Sequence, residues 1–375
     1  MSLFDDPRSP LPESGGDRPS RSRRERVGWI AVGVAVVIGL LFVLLPSPYV
    51  IQAPGPVYNT LGTAEYDGEE IPLIEVADAE TFPTEGSLDL LTVSVHGRPG
   101  ATPGWLDVIA AWFDPTKSAI PVEEVFPAGV TKEDRDAQNT AAMVNSQQDA
   151  IAAALVELGY EFPRDVTITG ILEGGPAAGT LQVGDVVDRV DGEPVRSIED
   201  LREAIARHGT ETPATFDVVR AGAPLTVEVT PVDSGGVTVI GVGVQMHYEF
   251  PVDVRIRLDD VGGPSAGMMF ALGIVDVLTP DPMTGGETIA GTGTIDSSGD
   301  VGAIGGIRQK LWGAERAGAD WFLAPQANCG EVVGNVPDGL RVFAVTTLDE
   351  AREIVEAVGE GADTTAYPAC EASAR

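Results

Sequence analysis

The 375-residue sequence has only three histidines and two cysteines, few aromatic side chains (6%), and 24 lysines and arginines against 57 acidic residues. Each shortage closes off a class of chemistry. There is no H-E-x-x-H helix and no C-x-x-C pair, so the ligand spacings of common zinc sites are missing and neither a metal nor another cofactor is expected. No G-x-x-x-x-G-K-[ST] loop occurs, which argues against a P-loop ATPase motor. Two cysteines cannot build a disulfide scaffold, although Cys329 and Cys370 could form one staple tying the C-terminal tail to the last domain. The formal net charge of −33 repels phosphate backbones, so nucleic acid is not an expected partner. The hydrophobic fraction of 43% is ordinary and allows two modest globular domains, each with its own core.

Residues 1–26 are rich in Pro, Ser, Gly and Arg, the composition of a disordered tail. Val27 to Leu45 then run without a charged residue, about 28 Å as a helix and close to the thickness of a bilayer core. RSRRER precedes this run and PSPYVIQAPGP follows it. The positive-inside rule therefore predicts a single-pass cell-membrane protein with a cytoplasmic N-terminus and an extracytoplasmic body. A cleaved signal peptide is the competing reading, but no A-x-A-like site follows the run.

Residues 46–163 read as an extended lead-in followed by a core strand at 87–95. A helix at 104–113 places Trp105, Val108, Ile109 and Trp112 at helical spacing, and a longer helix at 133–158 carries Met143, Val144, Ile151, Leu155 and Leu158. From 164 the texture turns to short strands and turns. LQVGDVV is followed by Asp191-Gly192, and a Ser197-to-Asp200 capping box then opens an amphipathic helix. The pattern over 164–232 resembles a PDZ domain. That resemblance implies a peptide groove between the strand bearing Val166, Ile168 and Ile171 and the helix bearing Leu201 and Ile205. GYEFPRD, ahead of Val166, offers no Gly-rich carboxylate loop, which leaves internal segments open as ligands.

In LDDVGGPSAGMMFALGIVDVL, Gly262, Gly263 and Pro264 form a turn, and Ser265 opens a helix apolar almost all round. A serine there sits over the positive end of a helix dipole, beside unpaired amides able to form an oxyanion hole. The plainer reading is a helix N-cap. Further on, a helix at 307–317 has the apolar stripe Ile307, Leu311 and Ala314. Lys310 falls on it, while Arg308, Gln309, Glu315 and Arg316 lie elsewhere. Burial favours the neutral amine, which can act as general base towards a hydroxyl. A lysine whose stem packs and whose ammonium reaches water is the alternative.

GGPSAG, followed 45 residues after its serine by the lysine of GAIGGIRQK, resembles the signature of Lon-type proteases, and the intervening GTGTI resembles that family's threonine-bearing strand. The resemblance covers about 237–358. It implies Ser265 as nucleophile, Lys310 as general base and Thr292 as the group orienting the lysine, with Gly263, Pro264 and Ala266 in support. Gly263 stands where that family has aspartate, and Thr294 where it has glutamate. The implied architecture is an α+β Lon-type proteolytic domain (233–358, with its N-terminal part in 46–163) interrupted by a PDZ domain (164–232). A transmembrane helix (27–45) precedes it and a tail (359–375) follows. The implied activity is ATP-independent serine endopeptidase action on protein or peptide substrates, in a homo-oligomer if the ring habit of such domains holds. Two rivals remain. One is a Ser–His–Asp hydrolase drawing on His96, His208 or His247. The other is a membrane-tethered PDZ adaptor or chaperone with an inactive protease-like domain.

Overall fold

The computed structural model describes residues 23–66, 69–127, 132–258 and 261–370, so the predicted disordered tail falls almost wholly outside the described residues. After α1 (Arg23–Leu44) come β1 (Tyr49–Asn59), β2 (Ser87–His96), α2 (Trp105–Trp112), β3 (Ser118–Pro121), the single turn α3 (Val122–Val125) and the long α4 (Lys132–Glu157). A second body follows, with β4 (Arg164–Ile171), β5 (Val186–Val190), α5 (Ile198–His208), β6 (Ala214–Arg220), β7 (Ala223–Val229), β8 (Val237–Val239) and β9 (Val242–Tyr248). The chain returns with α6 (Gly267–Leu278), β10 (Thr288–Gly291), α7 (Ile307–Ala317), β11 (Trp321–Pro325), the turn α8 (Cys329–Val332), β12 (Arg341–Val345) and α9 (Leu348–Gly359). Short two-stranded ribbons complete it.

The main sheet runs β12-β11-β10-β2-β1-β3, parallel from β12 to β2 and antiparallel beyond. Its central strands are apolar on both faces because helices cover both. Leu88, Leu90, Ile289 and Leu323 pack with α4, α6 and α9. Their neighbours Leu91, Ala290, Phe322 and Ala324 point the other way, into the core beneath α7. The strand expected at 87–95 is thus β2, at the centre of this sheet. The lead-in after residue 46 is no loose connector, since β1 pairs with β2 on one side and β3 on the other.

The second body is an antiparallel sheet, β7-β6-β5-β4-β9, closed by α5 over a core that includes Val166, Ile168, Phe216 and Leu201. Ser197 caps α5 by accepting the Asp200 amide at 3.0 Å, while the Asp200 carboxylate accepts the Arg196 amide. The body extends past the expected limit at 232, because β9 pairs along β4 as far as Tyr248. It is inserted between α4 and α6, which pack on each other in the core over the main sheet.

Two helical stripes divide differently from expectation. In α2, Val108 and Ala111 face inward, whereas Ile109 and Trp112 are exposed. In α4, Val144 is exposed beside buried Met143. Spacing alone does not say which of two adjacent apolar residues meets a neighbouring element. Among the described residues no helix is long and apolar enough to cross a membrane; the side chains of 38 and 40–44 within the expected span lie outside them. Cys329 and Cys370 form a disulfide, and the tail it holds pairs along β12 through an Ala344-to-Pro368 hydrogen bond.

Candidate active site

Three segments converge just past the carboxyl end of β10. The first is the turn Gly262–Ser265 that leads into α6. The helix starts at Gly267 with Ala266 as its N-cap, so Ser265 lies in the turn itself rather than in the first helical turn as the apolar run suggested. α4 holds this turn from the side. The Gly263 amide donates to Asn139 O at 2.9 Å, and Ser146 Oγ donates to Pro264 O at 2.9 Å. The two helices cross so closely that a Cβ on Gly267 would lie 2.8 Å from Ser146 Oγ.

The second segment is Thr292, which follows β10 directly and is buried. The third is α7, which begins after Gly306. That glycine is left-handed at φ 70°, and a Cβ there would come 2.8 Å from Val93 Cγ2, so glycine alone fits. α7 spans the predicted 307–317, with Ile307, Leu311 and Ala314 buried and Lys310 only 2% exposed among them. Gln309 does not lie elsewhere as expected. It too is buried, where its side-chain amide donates to Ser118 Oγ at 2.8 Å.

Lys310 Nζ donates to Ser265 Oγ at 2.7 Å and to Thr292 Oγ1 at 2.7 Å, and Thr292 Oγ1 donates to Ser265 O at 2.8 Å. Loss of hydration on burial pushes the Lys310 amine down to about 7. A substantial share of the amine is therefore neutral near neutral pH, within contact of a hydroxyl. The snorkelling alternative does not match this geometry, since the nitrogen ends inside the protein on two hydroxyls. Ser265 opens onto a cleft of about 440 Å³ whose walls include Thr92, Ser94, Asn139, Met143 and Gly263. No histidine lines that cleft. His208 is instead bonded to Asp191 and to Thr212 O within the second body.

The second body carries a groove of about 800 Å³ along α5, with Leu201 and Ile205 on its floor as expected. Its other wall is not β4. Val166 and Ile168 are fully buried in the core beneath the sheet and cannot meet a peptide, and Ile171 packs against the same core. The facing wall is the run Gly236–Val244, which contains β8 and the start of the edge strand β9. Expectation misplaced the wall because the strand beside α5 comes last in the chain, after the β6–β7 hairpin. The glycine spacing of GVTVIGVGV was the signal available for it. Asn139 and Ser146 were also missed, because nothing local marks them as the supports of a turn more than a hundred residues away.

Comparison with known proteins finds a family for each body, the second match taking in α4 and ending before β8. Residues 247–358 match the family described as Lon protease (S16) C-terminal proteolytic domain, and residues 129–230 match the PDZ domain family. The Lon protease of Clostridioides difficile is 39% identical over 94 residues, covering 24% of this chain and 12% of that protein. Lon protease 2 of Herpetosiphon aurantiacus is 37% identical over 110 residues, covering 28% and 13%. This chain thus spans 12% to 13% of the length of these curated relatives. Among solved structures, the PDZ domain of an SdrC-like protein from Listeria monocytogenes aligns over 21% of this chain and 85% of its own length, at 18% identity and a TM-score of 0.20. The chain carries a Lon protease (S16) C-terminal proteolytic domain, a serine peptidase domain, over 247–358, and a PDZ domain precedes it.

Proposed function

We propose that the chain is an ATP-independent serine endopeptidase, anchored in the cell membrane by α1 with its body outside the cytoplasm. Ser265 is the nucleophile and Lys310 the general base. The observation that carries this reading is the 2.7 Å contact between Lys310 Nζ and Ser265 Oγ inside a buried site that favours the neutral amine. Ser265 Oγ attacks the peptide carbonyl carbon as its proton passes to Nζ, and the amides of Ser265 and Ala266 receive the oxyanion. Collapse breaks the C–N bond, the ammonium of Lys310 returns its proton to the leaving amine, and an ester at Ser265 remains. Water hydrolyses the ester with Lys310 again as base. Thr292 keeps the amine directed at the hydroxyl.

The membrane reading is supported by the uncharged run from Val27 to Leu45 and the arginines ahead of it. It is also supported by the described side chains of α1 from Val27 to Val37, which are exposed although mostly apolar. The groove between α5 and β8–β9 supports delivery of extended polypeptide, which would add as a strand on the β9 edge.

The test is hydrolysis of casein by the purified full chain, without ATP and with EDTA, comparing wild type with Ser265→Ala and Lys310→Ala. Cleavage by wild type alone is expected. Cleavage surviving in Ser265→Ala would overturn the assignment, and folded wild-type protein that cleaves nothing would favour the adaptor reading.

A further inference from the structure

The outer face of α2 is apolar, and none of the described residues covers it. At about 3.6 residues per turn, Leu106, Ile109 and Phe113 share one face, opposite the buried Val108 and Ala111. Leu106 is 58% exposed, Ile109 38% and Phe113 84%, with Trp112 on the flank at 58%. A short helix that is apolar on its outer face as well as its inner one has a second surface to satisfy.

The position of that surface selects its occupant. Pro46, the residue after the apolar run, bridges to Gly104, which caps α2. Ser47 donates both its amide and its hydroxyl to Pro103 O, at 3.1 and 2.7 Å. The start of α2 is therefore clamped to the point where α1 ends. Trp105 and Trp112, one on each end of the helix, stand edge-on to Tyr49 with ring centroids 6.0 and 6.3 Å apart. An aromatic collar next to the end of α1, with an apolar stripe beside it, matches the composition of a segment lying in a membrane–water interface.

We infer that α2 docks on the lipid surface, with Leu106, Ile109 and Phe113 immersed at the headgroup–acyl boundary. The inference rests on the membrane reading of α1 and adds a second contact to it. A body held at two points cannot swing freely on its anchor, so its orientation to the bilayer is set.

The test uses the full chain in phosphatidylcholine vesicles, with an environment-sensitive maleimide dye on single added cysteines. Cys329 and Cys370 are paired and do not compete for the dye. Dye on Phe113→Cys and Leu106→Cys should be blue-shifted and lose most of its fluorescence to lipid carrying a nitroxide near the headgroup. Dye on Val183→Cys, exposed on the second body, should lose little. Dye on Gly33→Cys in α1 reports the anchor through a nitroxide deep in the acyl chain. If position 33 is quenched but position 113 behaves like position 183, the docking inference falls and the anchor stands. If position 33 is not quenched either, both fall. A blue shift at position 113 without quenching, lost on dilution, would assign the face to a second copy and overturn the inference.

Discussion

Thr292 donates its hydroxyl to the backbone carbonyl of Ser265 at 2.8 Å, which leaves its oxygen to accept from Lys310 Nζ at 2.7 Å. Thr292 thus ties the nucleophile's own backbone to the base. Thr292→Val removes the tie and leaves the buried amine short of one partner. The expected result is a kcat lower by roughly tenfold to a hundredfold with KM little changed, in line with the ~1.5–3 kcal/mol of a hydrogen bond to a charged group. Thr292→Ser should restore most of the rate. Steady-state kinetics on a short peptide substrate would check both, and a changed KM with unchanged kcat would count against the orienting role.

Activity should follow the free amine of Lys310. Below about pH 7 the amine is protonated and cannot take the Ser265 proton, so kcat should rise with pH through about 7 and level off above it. Lys310→Arg should be inactive across the range, since a guanidinium stays protonated. A rate profile that is flat from pH 5 to about pH 9 would remove Lys310 from the base role.

The same buried amine costs stability. Its folded pKa, about 7, lies below that of a lysine in the unfolded chain, about 10.4, so between those values the unfolded state holds the extra proton. Stability of wild type should therefore rise with pH across that window, by a few kcal/mol at most, relative to Lys310→Met, which has no such titration. Urea melts of both proteins at pH 7 and about pH 9 would measure the difference. A constant gap would mean that the amine is hydrated.

The groove along α5 should matter for proteins more than for short peptides. Val237→Asp puts a carboxylate on its exposed wall without touching the core. Casein cleavage should fall severalfold while cleavage of a short fluorogenic peptide holds. Equal effects on both substrates, or none on either, would separate the groove from substrate delivery.

Much of this protein was readable from local pattern. The spacing of Ile307, Lys310, Leu311 and Ala314 placed α7 and set a lysine on its buried side, because helical periodicity is a property of neighbouring residues. The capping serine of α5 and the central strand β2 were legible for the same reason. The turn at Gly263–Pro264 marked the start of α6, although the helix begins two residues beyond Ser265.

What only the tertiary structure decided are meetings between distant segments. Sequence spacing could not bring Lys310 Nζ, Thr292 Oγ1 and Ser265 Oγ to one point, since that depends on how α6, β10 and α7 pack around the end of one strand. Nor could it supply Asn139 and Ser146, which reach the nucleophile's turn from a helix that precedes the inserted body in the chain. The groove wall at 236–244 was assigned to the wrong strand because edge position in a sheet follows from pairing, which local pattern does not contain. Residue types and periodicity determined which chemistry was available; packing determined where it was assembled.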